Sequence, residues 1–291
     1  MKQVAPLRYD VIFKKAFSHP DIFTAISKDF LGIQLEIAQV ENDKAFVPSV
    51  GSVATQFDLF AEDKKNRVIV ELQHAHDSDS YERFMYYKCS AMVQTIVSSS
   101  NYHFPVTVIT LVFFTNKNTP SPDSGILVHD FEPRDFVTSR LLNKVYPRKH
   151  QLIFVFTNDS AHADTPEPCR EWMLAIHDSL DEQVNENDYT NPAIQKLFCL
   201  IEKDKITPEE RARMKEEYNR EEATRLAFQQ GEEKGIEKGI EKGIEKGIEK
   251  GIKEGEEKIK QTARHLKALG TLTAEQIASA TGISLEEVAA L

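Results

Sequence analysis

The sequence predicts a mixed α/β domain followed by an all-α C-terminal region. Two β-rich runs flank a charged turn within residues 53–73, which indicates a β-hairpin. Val106–Phe114 and Gln151–Thr157 are near-continuous apolar runs, as expected for central strands that are covered on both faces of a sheet. Beyond residue 160 such runs stop, and charged, helix-favouring sequence takes their place.

The α/β domain is predicted to contain three helices. Arg8–Phe17 and Asp21–Leu31 carry apolar residues at helical spacing, and Gly32 is placed to end the second helix. Tyr81–Val97 lies between the hairpin and the first central strand, and its many apolar residues predict broad burial. Helices and strands are therefore mixed along this part of the chain.

The change of character near residue 160 divides the chain into segments. A polar loop at residues 159–168 precedes three predicted helices, of which the last is densely charged and expected to face solvent. These helices cover Cys169–Val184, Pro192–Lys203 and Pro208–Phe228. The predicted segments are the α/β domain at residues 1–160, a helical extension at 161–230, a Gly-Ile-Glu-Lys repeat helix or spacer at 231–258, and a terminal helical hairpin at 259–291.

Residues 231–258 are a low-complexity repeat in which glycine recurs at every fourth position, mostly with Ile-Glu-Lys between the glycines. Glu, Lys and Ile tolerate a helix, but each glycine costs roughly 0.8–1 kcal/mol relative to Ala. A four-residue period drifts by ~40° per repeat on an α-helix, so the Ile and Gly stripes spiral and form no heptad seam. Two interpretations stay open: a solvated helical spacer, or a close-packed homodimer stem with glycines at the contact.

The terminal segment contains two helix-start signals. Thr273–Gln276 and Ser284–Glu287 are capping boxes, and Gly282 marks the break between the two short helices. The second helix has no basic residue and carries two glutamates, whereas contact with phosphate requires cations. We therefore expect this hairpin to pack or to dock a protein rather than to read DNA.

The net charge of −10 argues against a general nucleic-acid binder, but the acidity is unevenly distributed. Residues 1–150 carry 17 basic and 17 acidic residues, while residues 151–200 carry 2 basic and 9 acidic ones. The acidity therefore lies outside the segment that contains the hairpin. A neutral domain can still present a local basic strip to a phosphate backbone.

Cysteine usage and hydropathy predict a cytoplasmic protein. Cys89, Cys169 and Cys199 are widely spaced and fit no zinc-binding pattern, so we interpret them as reduced thiols. The N-terminal residues lack the apolar core of a signal peptide. No run approaches the ~18 apolar residues of a membrane span, so we expect no membrane partner.

The hairpin is the most informative segment for function. If its turn is centred between Lys64 and Lys65, Asp58 lies directly opposite Glu71, and strand periodicity places Gln73 on the face of Glu71. Two opposed carboxylates repel each other and weaken a sheet, and a divalent cation between them reverses that effect. Carboxylate oxygens, water and phosphate are the ligands that Mg²⁺ prefers.

Four motifs around this pair resemble one nuclease family. In the PD-(D/E)xK superfamily, an Asp on one strand and (Asp/Glu)-x-Lys on the next bind the metal. Within it, the chain resembles the recombination-promoting nuclease (Rpn) and transposase family over about residues 6–157. The matching segments are Asp10–Phe17 (D-x-x-F-K-x-x-F), Phe57–Asp63 (the first core strand), Val70–Gln73 (similar to I-E-x-Q) and Arg83–Tyr87 (R-x-x-Y-Y).

This resemblance implies a restriction-endonuclease-like fold for the α/β domain and a DNA endonuclease activity that promotes recombination or transposition-like events. It implies Mg²⁺ as the cofactor, with Mn²⁺ able to substitute, bound by Asp58, Glu71 and the Leu72 backbone carbonyl. Gln73 stands where the superfamily carries Lys; its amide can orient water but offers no positive charge, so slower or more metal-dependent cleavage is expected. A homodimer is expected, because cutting both strands commonly uses two active sites, and no small-molecule substrate is expected.

Several flanking residues each allow two interpretations. Asp10 could support the metal through a water or be a helix-start charge, and Lys14 and Lys15 could contact phosphate or be solvated. His74 is predicted to point away from the carboxylate pair by strand parity. His76 shares the parity of the pair if the strand continues, but the sequence after it predicts that the strand ends.

The predicted helix after the hairpin supplies two more candidates. Arg83 could clamp the DNA backbone or pair with Glu71 or another nearby acid. Tyr87, like Tyr86, is a candidate supporting residue that could equally be a packing residue.

A competing hypothesis belongs to another functional class. The chain could be a binding protein on a catalytically inactive nuclease-like scaffold, acting through its helical C-terminal region. The Asp–Glu pair would then be a solvent-facing sheet edge that binds no metal. An RNA-directed nuclease is a third possibility, because nothing in the sequence discriminates a 2′-hydroxyl.

Overall fold

The structure is a computed structural model that describes residues 1–46, 53–74, 80–96, 102–116, 121–142, 148–157 and 164–291. His76 and the predicted boundary at residue 160 lie outside these ranges. The described residues form two compact units, Met1–Arg220 and Glu221–Leu291. The elements are β1 (Lys2–Gln3), α1 (Asp10–Phe17), α2 (Pro20–Leu31), β2 (Glu41–Phe46), β3 (Thr55–Glu62), β4 (Asn66–Gln73), α3 (Ser80–Val93), β5 (Thr107–Phe114), β6 (Ile126–Asp130), β7 (Gln151–Phe156), α4 (Cys169–Ser179), β8 (Gln183–Val184), α5 (Pro192–Leu200), α6 (Pro208–Leu269), α7 (Ala274–Thr281) and α8 (Leu285–Ala290).

A six-stranded mixed sheet, in the order β2-β3-β4-β5-β7-β6, organises the first unit. β4, β5 and β7 run parallel to one another, and the outer neighbours pair antiparallel. The two apolar runs predicted as central strands are β5 and β7, and both are buried almost throughout. The sequence does not predict the edge strands β2 and β6 or the separate pair β1 and β8, because their short sequences carry no clear alternation.

Helices cover both faces of this sheet because successive residues of its strands point to opposite sides. Val68 and Val70 of β4 join a core cluster with helices α1, α2, α4 and α5, whereas Ile69 packs in a cluster on the other face with α3. Trp172 of α4 and Phe13 of α1 are among the largest fully buried side chains. The first unit is therefore an α/β/α sandwich with its main core between the sheet and four helices.

Most predicted helices of the first unit are confirmed, with corrections at their ends. The second helix ends at Gly32, which has φ 67° and donates its N–H to the Lys28 carbonyl. α4 ends at Ser179, earlier than predicted, because residues 183–184 pair with β1 instead of continuing the helix. The predicted helix from Pro208 does not end at Phe228, and α6 continues through the glycine repeat.

The second unit contains the rest of α6 and two short helices. Both predicted capping boxes are formed: Thr273 and Ser284 each accept a hydrogen bond from a backbone N–H of their own helix. Ala263, Ile277 and Val288 form its small buried cluster. None of the described helices is long and apolar enough to cross a membrane.

Candidate active site

The hairpin of β3 and β4 has the predicted register. Its paired residues run from Glu62 opposite Arg67 to Leu59 opposite Val70, which confirms a turn centred between Lys64 and Lys65. The pairing between β3 and β4 ends with Leu59, so Asp58 is not paired to β4. Residues 55–57 of β3 nevertheless stay paired to β2. Strands β3 and β4 therefore separate where their acidic residues lie.

Side chains of Asp58 and Glu71 take over the hydrogen bonds at this separation. The Asp58 backbone N–H donates to Oε1 of Glu71 over 3.3 Å, and the Leu72 backbone N–H donates to Oδ2 of Asp58 over 3.0 Å. Each carboxylate is thus held against the backbone of the opposite strand. The structure brings together Asp58, Glu71 and Leu72, the three residues that the sequence singled out as metal ligands.

Burial makes this pair difficult to ionise. Burial raises the pKa of Asp58 to about 6, even though the hydrogen bond from Leu72 opposes the shift. Burial also raises the pKa of Glu71 well above its ordinary value, and the neighbouring Asp58 carboxylate raises it further. If both groups were ionised side by side, their negative charge would exceed what their surroundings neutralise.

The donor set fits a hard divalent cation. The Asp58 carboxylate of β3 and the Glu71 carboxylate and Leu72 carbonyl of β4 offer only oxygen ligands, as Mg²⁺ prefers. The ring of His74, which lies next along the chain, is engaged elsewhere: its nitrogens hydrogen-bond Nη1 of Arg8 over 2.9 Å and Oγ1 of Thr115 over 2.8 Å. A cation between the carboxylates would favour the ionised forms that burial disfavours.

Gln73 lies on the same strand face as Glu71 and is 7% exposed. Its Oε1 accepts a hydrogen bond of 2.7 Å from Nη2 of Arg83 on α3. The guanidinium of Arg83 also lies over the Phe84 ring, 4.6 Å from its centroid, and its charge lowers the pKa of Glu71 in part. Arg83 therefore orients the Gln73 amide and supplies positive charge on the α3 side of the pair.

Tyr87, like Arg83, lies on α3, which covers this side of the carboxylate pair. Its ring packs edge-on against Phe57, with centroids 5.6 Å apart, and burial raises the pKa of its hydroxyl. The Tyr86 hydroxyl donates to the Val53 carbonyl over 2.7 Å. Both tyrosines have the packing contacts that the sequence left as one of two interpretations.

The face opposite α3 carries Lys14 of α1. Its ammonium lies 2.8 Å from Oδ2 of Asp10, 2.6 Å from Oδ1 of Asp43 and 3.7 Å from Oδ1 of Asp58. Burial opposes its charge, but the hydrogen bonds to Asp10 and Asp43 prevail and raise the pKa of Lys14. Asp10 thus contacts the site through Lys14. Asp43 was not singled out from the sequence, because only the pairing of β2 with β3 brings it close.

Lys15 has different surroundings from its neighbour Lys14. Its ammonium donates to the Lys205 carbonyl over 2.7 Å and to Oε2 of Glu210 over 2.8 Å. The successive residues of a helix point about 100° apart, which explains why only one of the two lysines reaches the carboxylates. The two residues that the sequence treated alike are therefore separated by the structure.

A second group of possible metal ligands lies away from the hairpin. Among the residues that the structure describes, Glu186, Cys199 and Glu202 are the one set of three whose ligand atoms all lie within 4.8 Å of one another. The Lys2 ammonium sits among them, with hydrogen bonds to Glu186 and to Cys199 and an ion pair of 2.6 Å with Glu202. Lys2 and Lys205, whose ammonium lies 3.1 Å from Glu202, thus already set two positive charges against the two carboxylates of this cluster.

Comparison with known proteins gives one finding and one negative result. The family model described as PD-(D/E)XK nuclease family transposase matches residues 7–227, which include the whole sheet and the Asp58–Glu71 pair. No curated protein matches the chain significantly. The matched segment covers more than half of the chain, so this protein belongs to the PD-(D/E)XK nuclease family transposases, a family of hydrolases that act on nucleic acid.

Proposed function

We propose that this protein is a Mg²⁺-dependent DNA endonuclease that hydrolyses phosphodiester bonds and so promotes recombination or transposition-like events. The observation that carries the proposal is the pair of the half-buried Asp58 and the buried Glu71 at the point where β3 and β4 separate. Its raised pKa values mark it as a site short of positive charge. The three cysteines form no disulfide, which fits a cytoplasmic location.

The roles of the residues follow from their positions. Asp58, Glu71 and the Leu72 carbonyl would hold Mg²⁺, with Mn²⁺ able to replace it. A divalent cation bound there supplies Lewis acidity: it polarises the scissile phosphate and lowers the pKa of a bound water. Gln73, oriented by Arg83, would hold the attacking water by its amide, since it can both donate and accept hydrogen bonds.

Duplex DNA is the proposed substrate, and a homodimer is the proposed active species. Two opposed copies of one site can cut both strands, whereas one site would leave a nick. No small-molecule substrate is proposed; Asp58 lies beside charged residues from α1 and β2.

Cleavage of supercoiled plasmid tests the proposal. We expect nicking with Mg²⁺ or Mn²⁺ that EDTA abolishes and that Asp58→Asn or Glu71→Gln reduces by at least about 100-fold, because each removes a charged metal ligand. Asp21→Asn is the matched control, since Asp21 is an exposed carboxylate paired with Lys196. Nicking that survives both site variants would contradict the proposal, and cleavage of RNA alone would reassign the substrate.

A binding role for the C-terminal region is the second candidate. The observation that favours it is the row of exposed isoleucines on α6, for example Ile240 at 59% and Ile248 at 59%. An inactive scaffold predicts no Mn²⁺ binding and no thermal shift with the metal. A chain truncated after Arg220 keeps the core of the first unit. If this shorter chain cleaves DNA and the full chain does not, the protein is instead a nuclease that its C-terminal region restrains.

A further inference from the structure

The Lys14 ammonium lies among three carboxylates, close enough to Asp58 for an ion pair but too far from it for a hydrogen bond. We propose that Lys14 is a catalytic residue whose ammonium contacts the scissile phosphate and stabilises its transition state. Asp10 and Asp43 are then positioning residues that act through Lys14. This inference rests on the proposed nuclease function, and it adds a positively charged side chain to the residues of that site.

A count of hydrogen-bond donors supports a role beyond holding the carboxylates together. A lysine ammonium has three N–H groups. Among the residues that the structure describes, those of Lys14 reach Oδ2 of Asp10 and Oδ1 of Asp43, which leaves one for a further acceptor. Asp58 does not accept a hydrogen bond from this third N–H, because its Oδ1 lies 3.7 Å from the ammonium. A phosphate oxygen beside Asp58 is the acceptor that the proposed reaction brings.

The rigidity of Lys14 also suits such a role. Its side chain is only 13% exposed, and two charge-assisted hydrogen bonds fix its end. Asp43 has φ 53°, a left-handed backbone conformation that Asp tolerates better than most residues, and it lies in β2 next to the residues that pair with β3 around Asp58. A cation held in advance at this place needs no reorganisation when negative charge develops.

The charges of the proposed reaction favour a protein cation here in addition to the divalent metal. Attack of hydroxide on a phosphodiester concentrates negative charge on the phosphate oxygens beside two carboxylates. Gln73 is neutral, and Arg83 is engaged by the Gln73 amide on the α3 side. Lys14 approaches Asp58 from the side of α1, so the two cations flank the pair from opposite faces of the sheet.

Lys14→Met, which removes the charge but keeps the length, is compared with Lys14→Arg in three measurements on the full chain. The matched control is Lys15→Met, because Lys15 binds Lys205 and Glu210 outside the site. The measurements are Mn²⁺ affinity by calorimetry, binding of a short DNA duplex in Ca²⁺ at several KCl concentrations, and kcat and KM for plasmid nicking at saturating Mn²⁺.

We expect Lys14→Met to bind Mn²⁺ at least as tightly as the wild type, because a competing positive charge near Asp58 is gone. The slope of log K against log[KCl] for the duplex should fall by about one phosphate contact. The kcat should fall by about 100- to 1000-fold, with KM less affected. Lys14→Arg should recover most of the salt slope and part of kcat.

Two results for Lys14→Met would overturn the assignment. An unchanged salt slope and kcat would mean that Lys14 does not touch the phosphate, and a parallel loss of Mn²⁺ affinity and kcat would mean that it only organises the carboxylates. If the wild type binds duplex but nicks nothing, the proposed function fails, while the salt slope still decides whether Lys14 contacts phosphate. A wild type that binds no duplex overturns both.

Discussion

At the scale of single residues, the neutral Gln73 is explained by its partner. Its carboxamide accepts a hydrogen bond from Arg83 in a place that is almost fully buried. A lysine at this position would set an ammonium against a guanidinium, and like charges in a buried site are unfavourable. The positive charge on this side of the site is therefore supplied by α3 instead of β4.

This contact predicts that Gln73→Lys is not an improvement. We expect the variant to lose roughly 1–3 kcal/mol of unfolding free energy, since Arg83 loses the Gln73 carboxamide oxygen as an acceptor and gains a repulsive neighbour. Gln73→Lys combined with Arg83→Gln should recover much of that loss, because the donor and acceptor are exchanged. Thermal unfolding of the two single variants and the double variant measures the coupling. Additive losses of unfolding free energy would contradict the pairing of Gln73 with Arg83.

A cleavage assay tests the catalytic role of Gln73 separately. Equal cleavage rates for wild type, Gln73→Lys and Gln73→Ala would exclude a role for the side chain in catalysis.

Lys88 is a buried charge that the proposed reaction does not use. Its ammonium lies 4.3 Å from the Phe131 ring centroid, and no atom of the described residues accepts a hydrogen bond from it. Burial lowers the pKa of Lys88 to about 7. In the unfolded chain a lysine keeps its proton to about pH 10, so the unfolded state binds more protons between these values. Stability should therefore rise from pH 7 to pH 10.

Lys88→Met tests this pH dependence. We expect the variant to be more stable than the wild type at pH 7, on the order of 1–3 kcal/mol, because an unpaired buried charge is replaced by an apolar chain of similar length. Its advantage should shrink as the pH rises towards 10. Urea unfolding at several pH values measures this, with Lys64→Met at the exposed turn as the control. A parallel pH profile for Lys88→Met and wild type would show that Lys88 is not buried as a charge.

At the scale of secondary-structure elements, what the sequence predicts depends on how local the determining contacts are. The register of the β3–β4 hairpin follows from a short turn, and the helix end at Gly32 from one residue, so both were predictable. The strand β2 reads Glu-Asn-Asp-Lys-Ala-Phe, and its polar character suits an edge strand, since no further strand among the described residues pairs with its outer side. Its pairing is set by the rest of the sheet, which local sequence does not reveal.

The same reasoning explains which site residues were found. Asp58, Glu71 and Gln73 lie within one hairpin, so strand periodicity alone places them together. Asp43 reaches the site through the pairing of β2 with β3, and Lys14 through the packing of α1 on the sheet. Contacts between distant elements depend on the whole fold, and the sequence therefore left Lys14 with two interpretations.

The capping boxes of the second unit permit a prediction for one element. Ser284 Oγ accepts a hydrogen bond of 3.2 Å from the Glu287 backbone N–H at the start of α8. Ser284→Ala should cost about 1 kcal/mol, which lowers the hydrogen-exchange protection of α8 by ~5-fold. Ser284→Asp keeps an acceptor and should preserve protection. Unchanged exchange in Ser284→Ala would mean that burial of Val288, and not the cap, holds α8 in place.

At the scale of the whole molecule, α6 runs across the boundary between the two units, and its glycine repeat lies within the second. The helix is 62 residues long, and all of it is described. Ala263 is its one fully buried residue. A helix with so little packing depends on its intrinsic propensity, and its glycines weaken that propensity. The repeat therefore either stays a marginal spacer or gains stability from a partner such as a second copy.

Triple replacement of Gly239, Gly243 and Gly247 by alanine distinguishes these two possibilities. An added Cβ at each position meets no atom within 4 Å, so a solvated spacer should gain roughly 0.8–1 kcal/mol of helix stability per site. We expect far-UV melting of the helix at higher temperature and an unchanged molecular mass by sedimentation. Alanine in place of the lysine that precedes each of these glycines is the control for general effects of substitution. If the triple glycine variant alone has a lower mass than the wild type, the glycines form a homodimer contact that the added methyl groups push apart, because helices that meet at glycine approach more closely than Cβ allows.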